Sequence, residues 1–364
     1  MKKTHIGLIF LIIAFLPACE LILGPDPDTS PEGILFSLWN DFNNVHAYLD
    51  IRMSNNSNSF TNWYDVYHNR QRGYARLVYQ GMSEEALFNV CARMLGELND
   101  SHVGLYAPGK FASSYRESRD DFDIYTVRTS LIGSGNDKYK NFVYGTFRSD
   151  ASASCTCIGY IHIESFVVDY NFPENNAWDK KIDEIIKNLT HTKALVLDIR
   201  DNRGGDVFAM EYIVSRFAVT RKDYLKTSIK SGSGPNDYSS VKTHTIHPAR
   251  SNYHGPVVLI TNKNSVSAAE RFTLALRTQD NVTHIGTATR GALSIRSSRP
   301  MINGWFYSIS AEKVTDMSGK YYEGLGIAPK EEHIVEYGTG AADNQLKYAK
   351  DLAATLCGCV CGVP

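Results

Sequence analysis

The 364-residue chain is predicted to fold as an α/β protein with a mainly parallel sheet, preceded by an N-terminal helical region. Two observations lead to this prediction. From residue 157 onward, short apolar runs with strand character alternate with longer runs of helical periodicity, and such alternation implies crossover units between parallel strands. Residues 33–98, in contrast, carry apolar side chains mainly at helical spacing. No internal repeat is evident.

We divide the chain into six parts. They are a signal peptide at residues 1–18, a tether at 19–32, the helical region at 33–106, a polar β-rich connecting segment at 107–156, the α/β core at 157–340, and a C-terminal helix with a Cys-rich tail at 341–364. The length allows one large domain or two modest ones, and leaves ample material for a buried core.

The N-terminus indicates export. Lys2 and Lys3 precede an apolar run from Ile6 to Leu16, which is typical of a signal peptide and too short to span a bilayer stably. The run ends in Leu16-Pro17-Ala18-Cys19, which resembles a bacterial lipobox. This resemblance implies that Cys19 is lipidated and attaches the protein to a membrane. The expected location is the bacterial cell envelope, either the periplasm or the outer membrane. The alternative is an ordinary signal peptide cut nearby.

The helical region contains three predicted helical stretches. The first covers Gly33–Tyr48, the second runs less regularly over Asn62–Val78, and the third begins after Ser83. Ser83 is a predicted N-cap because Glu84 and Glu85 follow in the first turn and apolar residues then recur at helical spacing. Residues 99–100 end this helix, and residues 101–106 are predicted to form a strand.

The α/β core is predicted from its apolar runs. The strands expected are Cys157–Phe166, Ala194–Ile199, Pro256–Thr261, Thr283–Gly286 and a late strand at Gly304–Val314; the helices expected are Trp178–Leu189, Val207–Phe217 and Ser267–Leu276. Residues 225–246 are extended and polar, which indicates an insertion into this alternating pattern.

Charge and cysteine content limit the function classes. The formal net charge is -1, so no basic field favours nucleic acid as a partner. Neither a cofactor nor a metal is predicted. The close-spaced cysteines, 155 and 157 near the core and 357, 359 and 361 in the tail, could bind a metal, but their C-x-C spacing favours disulfides between the two sets. Cys91 lies on the apolar face of a predicted helix.

Two local patterns are candidates for chemistry. Ser267 follows a buried strand and a polar loop, and it begins a helix whose N-terminus favours developing negative charge. Gly204-Gly205 follows another buried strand and precedes a helix, where the backbone can turn sharply and expose N–H groups. Each has a plain alternative, because serine is a common N-cap and a glycine pair is a common turn.

Four motifs occur in an order that resembles a known family. They are DIRDNRGGD at residues 198–206, PVVLITNKNSVSAAE at 256–270, IGTATRG at 285–291 and EGLGIAP at 323–329, preceded by LNDSHV at 98–103. This set, spread over roughly residues 33–335, resembles the C-terminal processing (tail-specific) serine peptidases and the related tricorn core protease. The resemblance implies a ClpP/crotonase-like core, a protein or peptide substrate, and hydrolysis through an acyl-enzyme.

The resemblance also implies roles for individual residues. Ser267 matches the nucleophile, and the N–H groups of Ala268 and of Gly205, or its neighbour Gly204, match the oxyanion donors. One branch of the family takes a lysine base from a T-x-G-K pattern, but this chain has Ala292 at that position. The tricorn-like branch uses a Ser-His pair and a downstream glutamate, which implies His102 as base, Glu323 as supporting carboxylate and Ser101 as a further polar member.

Several alternatives remain open. His102 could be a structural histidine of a sheet, Glu323 a carboxylate of a surface turn, and the whole chain a non-catalytic peptide- or lipid-binding protein of the same fold. An α/β-hydrolase esterase is disfavoured because no G-x-S-x-G elbow occurs. About fifty residues separate Tyr106 from Cys157, too few for the PDZ domain that many family members carry. The sequence does not determine the oligomeric state.

Overall fold

A computed structural model describes residues 28–55, 60–115, 124, 131–132, 141–147, 157–168, 178–338 and 343–359. The predicted signal peptide, the lipobox with Cys19 and most of the tether lie outside these residues, as do Cys155 and Cys361. In the described part of the chain, no helix combines the length and the apolar character needed to cross a membrane.

Helices of different lengths and one 3-10 turn form the N-terminal region. The helices are α1 (Pro31–Val45), α2 (Leu49–Asn55), α3 (Trp63–His68), a 3-10 turn (Tyr74–Leu77) and α4 (Glu84–Gly96). As predicted, Ser83 caps α4, because its hydroxyl accepts a hydrogen bond from the N–H of Ala86. Ser30 caps α1 in the same way through Gly33. The second predicted stretch, Asn62–Val78, contains two short elements, α3 and the 3-10 turn, and not one continuous helix.

A four-stranded antiparallel sheet joins the N-terminal region to a late part of the chain. Its strand order is β11-β12-β1-β2, with β1 (Gly104–Ala107), β2 (Lys110–Ser113), β11 (Arg296–Pro300) and β12 (Phe306–Ser310). One face packs on α1 and α4, and Trp305 and Tyr307 are buried in the same apolar cluster as Leu38 and Met94. The helical region thus completes its core with residues that lie about two hundred positions later.

The central sheet has six strands in the order β10-β9-β6-β5-β4-β3. Its strands are β3 (Leu131–Ile132), β4 (Phe142–Phe147), β5 (Ile158–Ile163), β6 (Ala194–Asp198), β9 (Val257–Thr261) and β10 (Val282–Gly286). Neighbouring strands from β5 to β10 are parallel, whereas β4 and β3 extend the sheet in antiparallel pairing. The predicted mainly parallel sheet is confirmed.

Helices cover both faces of the central sheet. The crossover helices α5 (Trp178–Leu189), α6 (Val207–Ser215) and α7 (Ala268–Arg277) share one apolar cluster with one face. The C-terminal helix α8 (Asn344–Cys357) packs on the opposite face through Leu346, Ala349 and Ala353. Because β6 and β9 are parallel neighbours, the loops that follow them emerge side by side at the carboxyl edge of the sheet.

The predicted polar insertion forms a small sheet of its own. Strands β7 (Lys222–Ile229) and β8 (Lys242–Ile246) pair with β13 (Glu312–Thr315) in the order β13-β7-β8. The single late strand predicted at Gly304–Val314 is in fact two strands, β12 and β13, which belong to different sheets and are separated at Ala311.

The cysteine pairing differs from the favoured prediction where the structure describes it. Cys357 forms a disulfide with Cys359, within the tail set, instead of with a cysteine near the core. Cys91 is a buried free thiol on α4, as its position on an apolar helix face indicated. Within the described residues, no group of three or more His, Cys, Asp or Glu side chains is placed to hold a metal ion.

Candidate active site

Ser267 stands at the turn between β9 and α7 with a backbone conformation that serine rarely adopts. Its φ is 63° and its ψ is -120°, and its N–H donates to Glu270 Oε2 over 3.0 Å. The residue lies just before the helix, so the predicted position at a helix start is correct, but the conformation is strained and not that of an ordinary cap. The Ser267 side chain is half-buried.

Backbone strain recurs in the loops that carry the candidate residues. Among the described residues, the non-glycine residues with positive φ are Asn99, Asp201 and Ser267. Asn99 lies three residues before His102, and Asp201 lies in the loop after β6, where its carboxylate accepts from the side-chain amides of Asn262 and Asn264. Strain of this kind persists only where surrounding contacts hold it, and it often marks functional sites.

The Gly204-Gly205 turn packs directly against the serine. Gly204 has φ 83°, and a Cβ there would lie 2.8 Å from Ser267 Cβ and 2.9 Å from the nitrogen of Ala268, so only glycine fits. The N–H of Gly204 already donates to Asn202 Oδ1 over 2.9 Å. Within the described residues, the N–H groups of Gly205 and Ala268 have no acceptor. Of the two glycines, Gly205 is therefore the one with a donor to offer.

Buried polar side chains fix the glycine turn, among them Asp198, Arg200 and Asn202. Asn202 Nδ2 donates to the main-chain carbonyl of Ile163 over 2.9 Å, and the main-chain carbonyl of Asn202 accepts from the N–H of Val266. Arg200 is fully buried and forms a salt bridge of 2.6 Å with Asp198. The loops after β5, β6 and β9 are thereby tied to one another.

His102 is buried between α4 and β1. It is 8 % exposed, its main-chain N–H donates to Asp100 Oδ1 over 2.9 Å, and its ring Nδ1 has no hydrogen-bond partner. Burial lowers the pKa of His102 to about 4, and Asp100 opposes this effect only in part. Between the described atoms of His102 and Ser267 there is no hydrogen bond. The neighbouring Ser101 Oγ is also buried without a partner.

Asp100 is the centre of a buried cluster that the sequence analysis did not identify. Its carboxylate lies 3.1 Å from His46 Nε2 and 3.6 Å from Arg52 Nη2, and its own N–H donates to Ser114 Oγ. Burial alone would raise the pKa of Asp100, but Arg52 and His46 hold that pKa well below its usual range. The carboxylate is therefore ionised, and it anchors the backbone of His102.

Glu323 is a buried carboxylate, so the surface-turn alternative is wrong. The side chain is 1 % exposed, Oε1 accepts from Arg52 Nη2 over 2.8 Å, and Oε2 accepts from the N–H groups of Leu293 and Ser294. Burial raises the pKa of Glu323 to about 8, with Arg52 opposing the rise. Its described hydrogen bonds connect it to the backbone after Ala292 and to Arg52, and none reaches Ser101 or His102.

Glu270 is a second buried carboxylate that was missed. Its two oxygens accept from the N–H groups of Ser267, Gly291 and Ala292 and from the hydroxyl of Thr289. Burial raises the pKa of Glu270, and these four donors oppose the rise. The S-x-x-E spacing from Ser267 is a signal that could have identified it. Glu270 thus couples the serine turn to the loop in which Ala292 occupies the lysine position of the other family branch.

Together, these residues define a class of site. A strained serine follows β9, beside two backbone N–H groups that have no acceptor among the described residues. Hydrogen bonds of Glu270 and Arg52 connect this turn to the loop of Gly291 and to the buried Glu323, and Arg52 also reaches Asn99, three residues before the buried His102. A serine hydroxyl, an imidazole and oxyanion donors are the elements of acyl-transfer chemistry.

Comparison with known proteins finds a family match over part of the chain. Residues 157–333 match the model of peptidase family S41, and the chain is 28% identical over 185 residues to the carboxy-terminal processing protease CtpB of Bacillus subtilis. That alignment covers 50% of this chain and 35% of CtpB, so the chain spans about a third of that relative. Residues 157–333 are a peptidase family S41 domain, and the predicted recognition is confirmed.

Solved structures agree on the fold. A proposed peptidase from Parabacteroides merdae superposes with a TM-score of 0.73 at 24% identity, covering 90% of this chain and 97% of that one. The tricorn protease gives a TM-score of 0.52 at 16% identity, covering 90% of this chain and 37% of that one. Both likenesses include the N-terminal helical region. His102 and its cluster lie outside the segment matched by the family model.

Proposed function

We propose that the protein is a serine endopeptidase that hydrolyses peptide bonds through an acyl-enzyme on Ser267. The observation that carries this proposal is the strained turn of Ser267, with Gly204 packed against it and the N–H groups of Gly205 and Ala268 left without acceptors. Free N–H groups are ordinary at a helix N-terminus, but a cap does not need the positive φ of Ser267 or the close packing of Gly204 against it. The family S41 domain supports the same conclusion.

In the proposed reaction, Ser267 Oγ attacks the carbonyl carbon of the scissile bond while His102 removes the hydroxyl proton. Burial keeps His102 neutral near pH 7, which is the form a base requires. The oxyanion that forms accepts from the N–H groups of Gly205 and Ala268. His102 then returns the proton to the leaving amine. Water, deprotonated by His102, attacks the resulting ester and releases the acid.

Glu323 is proposed as the supporting carboxylate and Ser101 as a polar member beside the base. The unpartnered Ser101 Oγ supports this, because it is free to donate to a group that approaches His102. Ser267 and His102 have no hydrogen bond in this structure, so the reaction needs them to move closer when substrate binds. Catalytic hydrogen bonds are often long in free enzymes and tighten in the complex.

That missing hydrogen bond is also the observation that favours the second candidate, a non-catalytic protein of the same fold that binds a peptide or lipid. In such a protein, the donors beside Ser267 would hold a ligand carboxylate or carbonyl without any acyl transfer. The two candidates differ in whether Ser267 forms a covalent bond.

A fluorophosphonate probe tests this difference. The wild-type protein should label on Ser267 and cleave an unfolded protein such as casein, and Ser267→Ala and His102→Ala should each lower turnover by roughly four to six orders of magnitude. Ser298→Ala and His254→Ala, both at exposed positions, serve as controls and should behave as wild type. Equal labelling of wild type and Ser267→Ala, or no labelling and no cleavage by the folded wild type, would rule the peptidase out.

We further propose export and attachment to the cell envelope through lipidated Cys19. The support comes from the sequence alone: a basic N-terminus, the apolar run Ile6–Leu16 and the lipobox-like Leu16–Cys19. Expression in a bacterium fed radioactive palmitate should label the wild-type protein in the membrane fraction and not Cys19→Ala. Cytosolic recovery of both forms would contradict the proposal.

A further inference from the structure

We propose that Arg52 is a positioning residue for the reaction at Ser267, because its guanidinium ties the loop of His102, the loop of Gly291 and the side chain of Glu323 into one arrangement. This inference rests on the proposed peptidase function and adds to it a residue from α2, outside the segment that the family model matches.

The contacts of Arg52 reach three separate parts of the chain. Nη1 donates to the carbonyl of Asn99 over 3.0 Å, and Nη2 donates to the carbonyl of Gly291 over 3.3 Å and to Glu323 Oε1 over 2.8 Å. Asp100 Oδ1 lies 3.6 Å from Nη2. The side chain is 8 % exposed, so these interactions are shielded from water.

Each contacted part adjoins a different component of the proposed site. Asn99 has a strained φ of 46° and leads into Asp100, whose carboxylate anchors the N–H of His102. Gly291 donates its N–H to Glu270, which also holds the N–H of Ser267. A shift of Arg52 would therefore move the base relative to the nucleophile. Small displacements of this kind reduce turnover strongly, because catalysis requires a near-attack geometry.

The charges around the cluster make a cation necessary at this position. Asp100 is buried and ionised, and a charged carboxylate in such a place is costly without a cation beside it. Arg52 supplies that cation and also donates to Glu323 Oε1. The other titratable or charged groups that act on this cluster are His46, Tyr48, His102, Glu270, Arg271 and Arg296.

The planar fork of arginine suits this position better than an ammonium group. Its several N–H donors point in fixed, divergent directions, so two carbonyls and a carboxylate can be bound at once. A lysine would keep the charge but has one nitrogen and a shorter side chain. The proposal therefore predicts that charge alone does not replace Arg52, which distinguishes a geometric role from a purely electrostatic one.

The test compares Arg52→Lys and Arg52→Met with wild type and with Arg221→Lys, an exposed control. Folding is checked by circular dichroism at each pH, and kcat and KM are measured on a fluorogenic peptide from about pH 3 to 9, a range that includes the pKa of His102. We expect Arg52→Lys to lower kcat by about 10- to 100-fold with KM changed less than about threefold. In Arg52→Met, the acidic limb of the pH profile should also move to higher pH, because Arg52 disfavours protonation of His102.

Chemical rescue gives a further readout. Methylguanidinium at millimolar concentration should restore part of the kcat of Arg52→Met and have no effect on wild type. Wild-type kcat and pH profile in a folded Arg52→Met would overturn the inference, as would a loss confined to KM. Unfolding of Arg52→Lys would also overturn it, by assigning Arg52 to the fold. An inactive, unlabelled wild type would instead refute the peptidase function and, with it, this role.

Discussion

Substitution of Gly204 by alanine should disable the site through one methyl group. Gly204 has φ 83°, and the added Cβ would lie 2.8 Å from both Ser267 Cβ and the carbonyl oxygen of Val266. A left-handed conformation costs an L-residue about 1–2 kcal/mol, and forced overlap in a packed site adds about 1–3 kcal/mol. We therefore expect Gly204→Ala to lower the free energy of unfolding by about 2–5 kcal/mol.

Gly304→Ala is a matched control for this substitution. Gly304 has φ 84°, nearly the same backbone conformation, but its added Cβ would have no atom within 4 Å. Denaturant unfolding should therefore show a loss of only about 1–2 kcal/mol for Gly304→Ala. The difference between the two variants isolates the contact with Ser267 from the backbone strain.

The effect on reactivity should separate the two variants further. The loop can relieve the overlap only by moving Gly204 and Gly205 away from Ser267, which displaces the proposed oxyanion donor at Gly205. Loss of one such donor costs about 10²- to 10³-fold in rate. The fluorophosphonate labelling rate of Gly204→Ala should fall by that order, while Gly304→Ala labels as wild type. Equal labelling rates in the two variants would refute the reasoning.

Three further predictions concern buried charges. Glu270→Ala should lower the free energy of unfolding by about 3–5 kcal/mol in denaturant titration, because it leaves three buried N–H groups without an acceptor. A loss below about 1 kcal/mol, which is typical of a substitution at an exposed site, would contradict this. Arg200→Met should cost a similar 3–5 kcal/mol by leaving Asp198 unpaired, and the double variant with Asp198→Asn should recover part of the loss. Glu323 has a folded pKa raised to about 8, so the unfolded state binds fewer protons than the folded state at neutral pH. Its contribution to stability should therefore fall by about 2 kcal/mol as pH rises from 6.5 to 8, and Glu323→Gln should remove that slope; an unchanged slope would show that Glu323 is ionised throughout.

The elements with strong local patterns could be predicted from the sequence. Helix α5 has the predicted bounds, Trp178–Leu189, because four large apolar residues lie on one face and all of them are buried in the core. The short apolar runs at β6 and β9 were likewise found within a residue or two, since a buried parallel strand is apolar along its whole length.

Strand β11 could not be predicted, because nothing in its own residues indicates a strand. The segment Arg296–Pro300 is polar and partly exposed, and it is extended because it pairs with β12 at the edge of a sheet. The division between β12 and β13 was missed for a similar reason. Both segments look like one apolar run, and only their partners, β1 and β7, separate them.

In the candidate site, too, residues that lie in a local pattern could be predicted, whereas residues defined by long-range contacts could not. Ser267 and the glycine pair could be selected because each lies in a strand–turn–helix pattern within one short stretch. Arg52 lies 271 positions from Glu323 and 239 from Gly291, and no local pattern marks it. The importance of Asp100 likewise depends on His46, which is 54 positions away.

The four-stranded sheet affects the order in which the protein can be assembled. Strand β1, which begins two residues after His102, lies between β2 and β12, and Trp305 and Tyr307 fill the helical layer beneath it. During synthesis, the N-terminal helices leave the ribosome long before Trp305 and Tyr307, which complete their core. Until about residue 311 has emerged, the apolar face of the nascent N-terminal helices stays incomplete and needs protection from aggregation. The segment matched by the family model is consequently not a module that can be cut out and expressed alone, because its removal would leave apolar surface uncovered on both fragments.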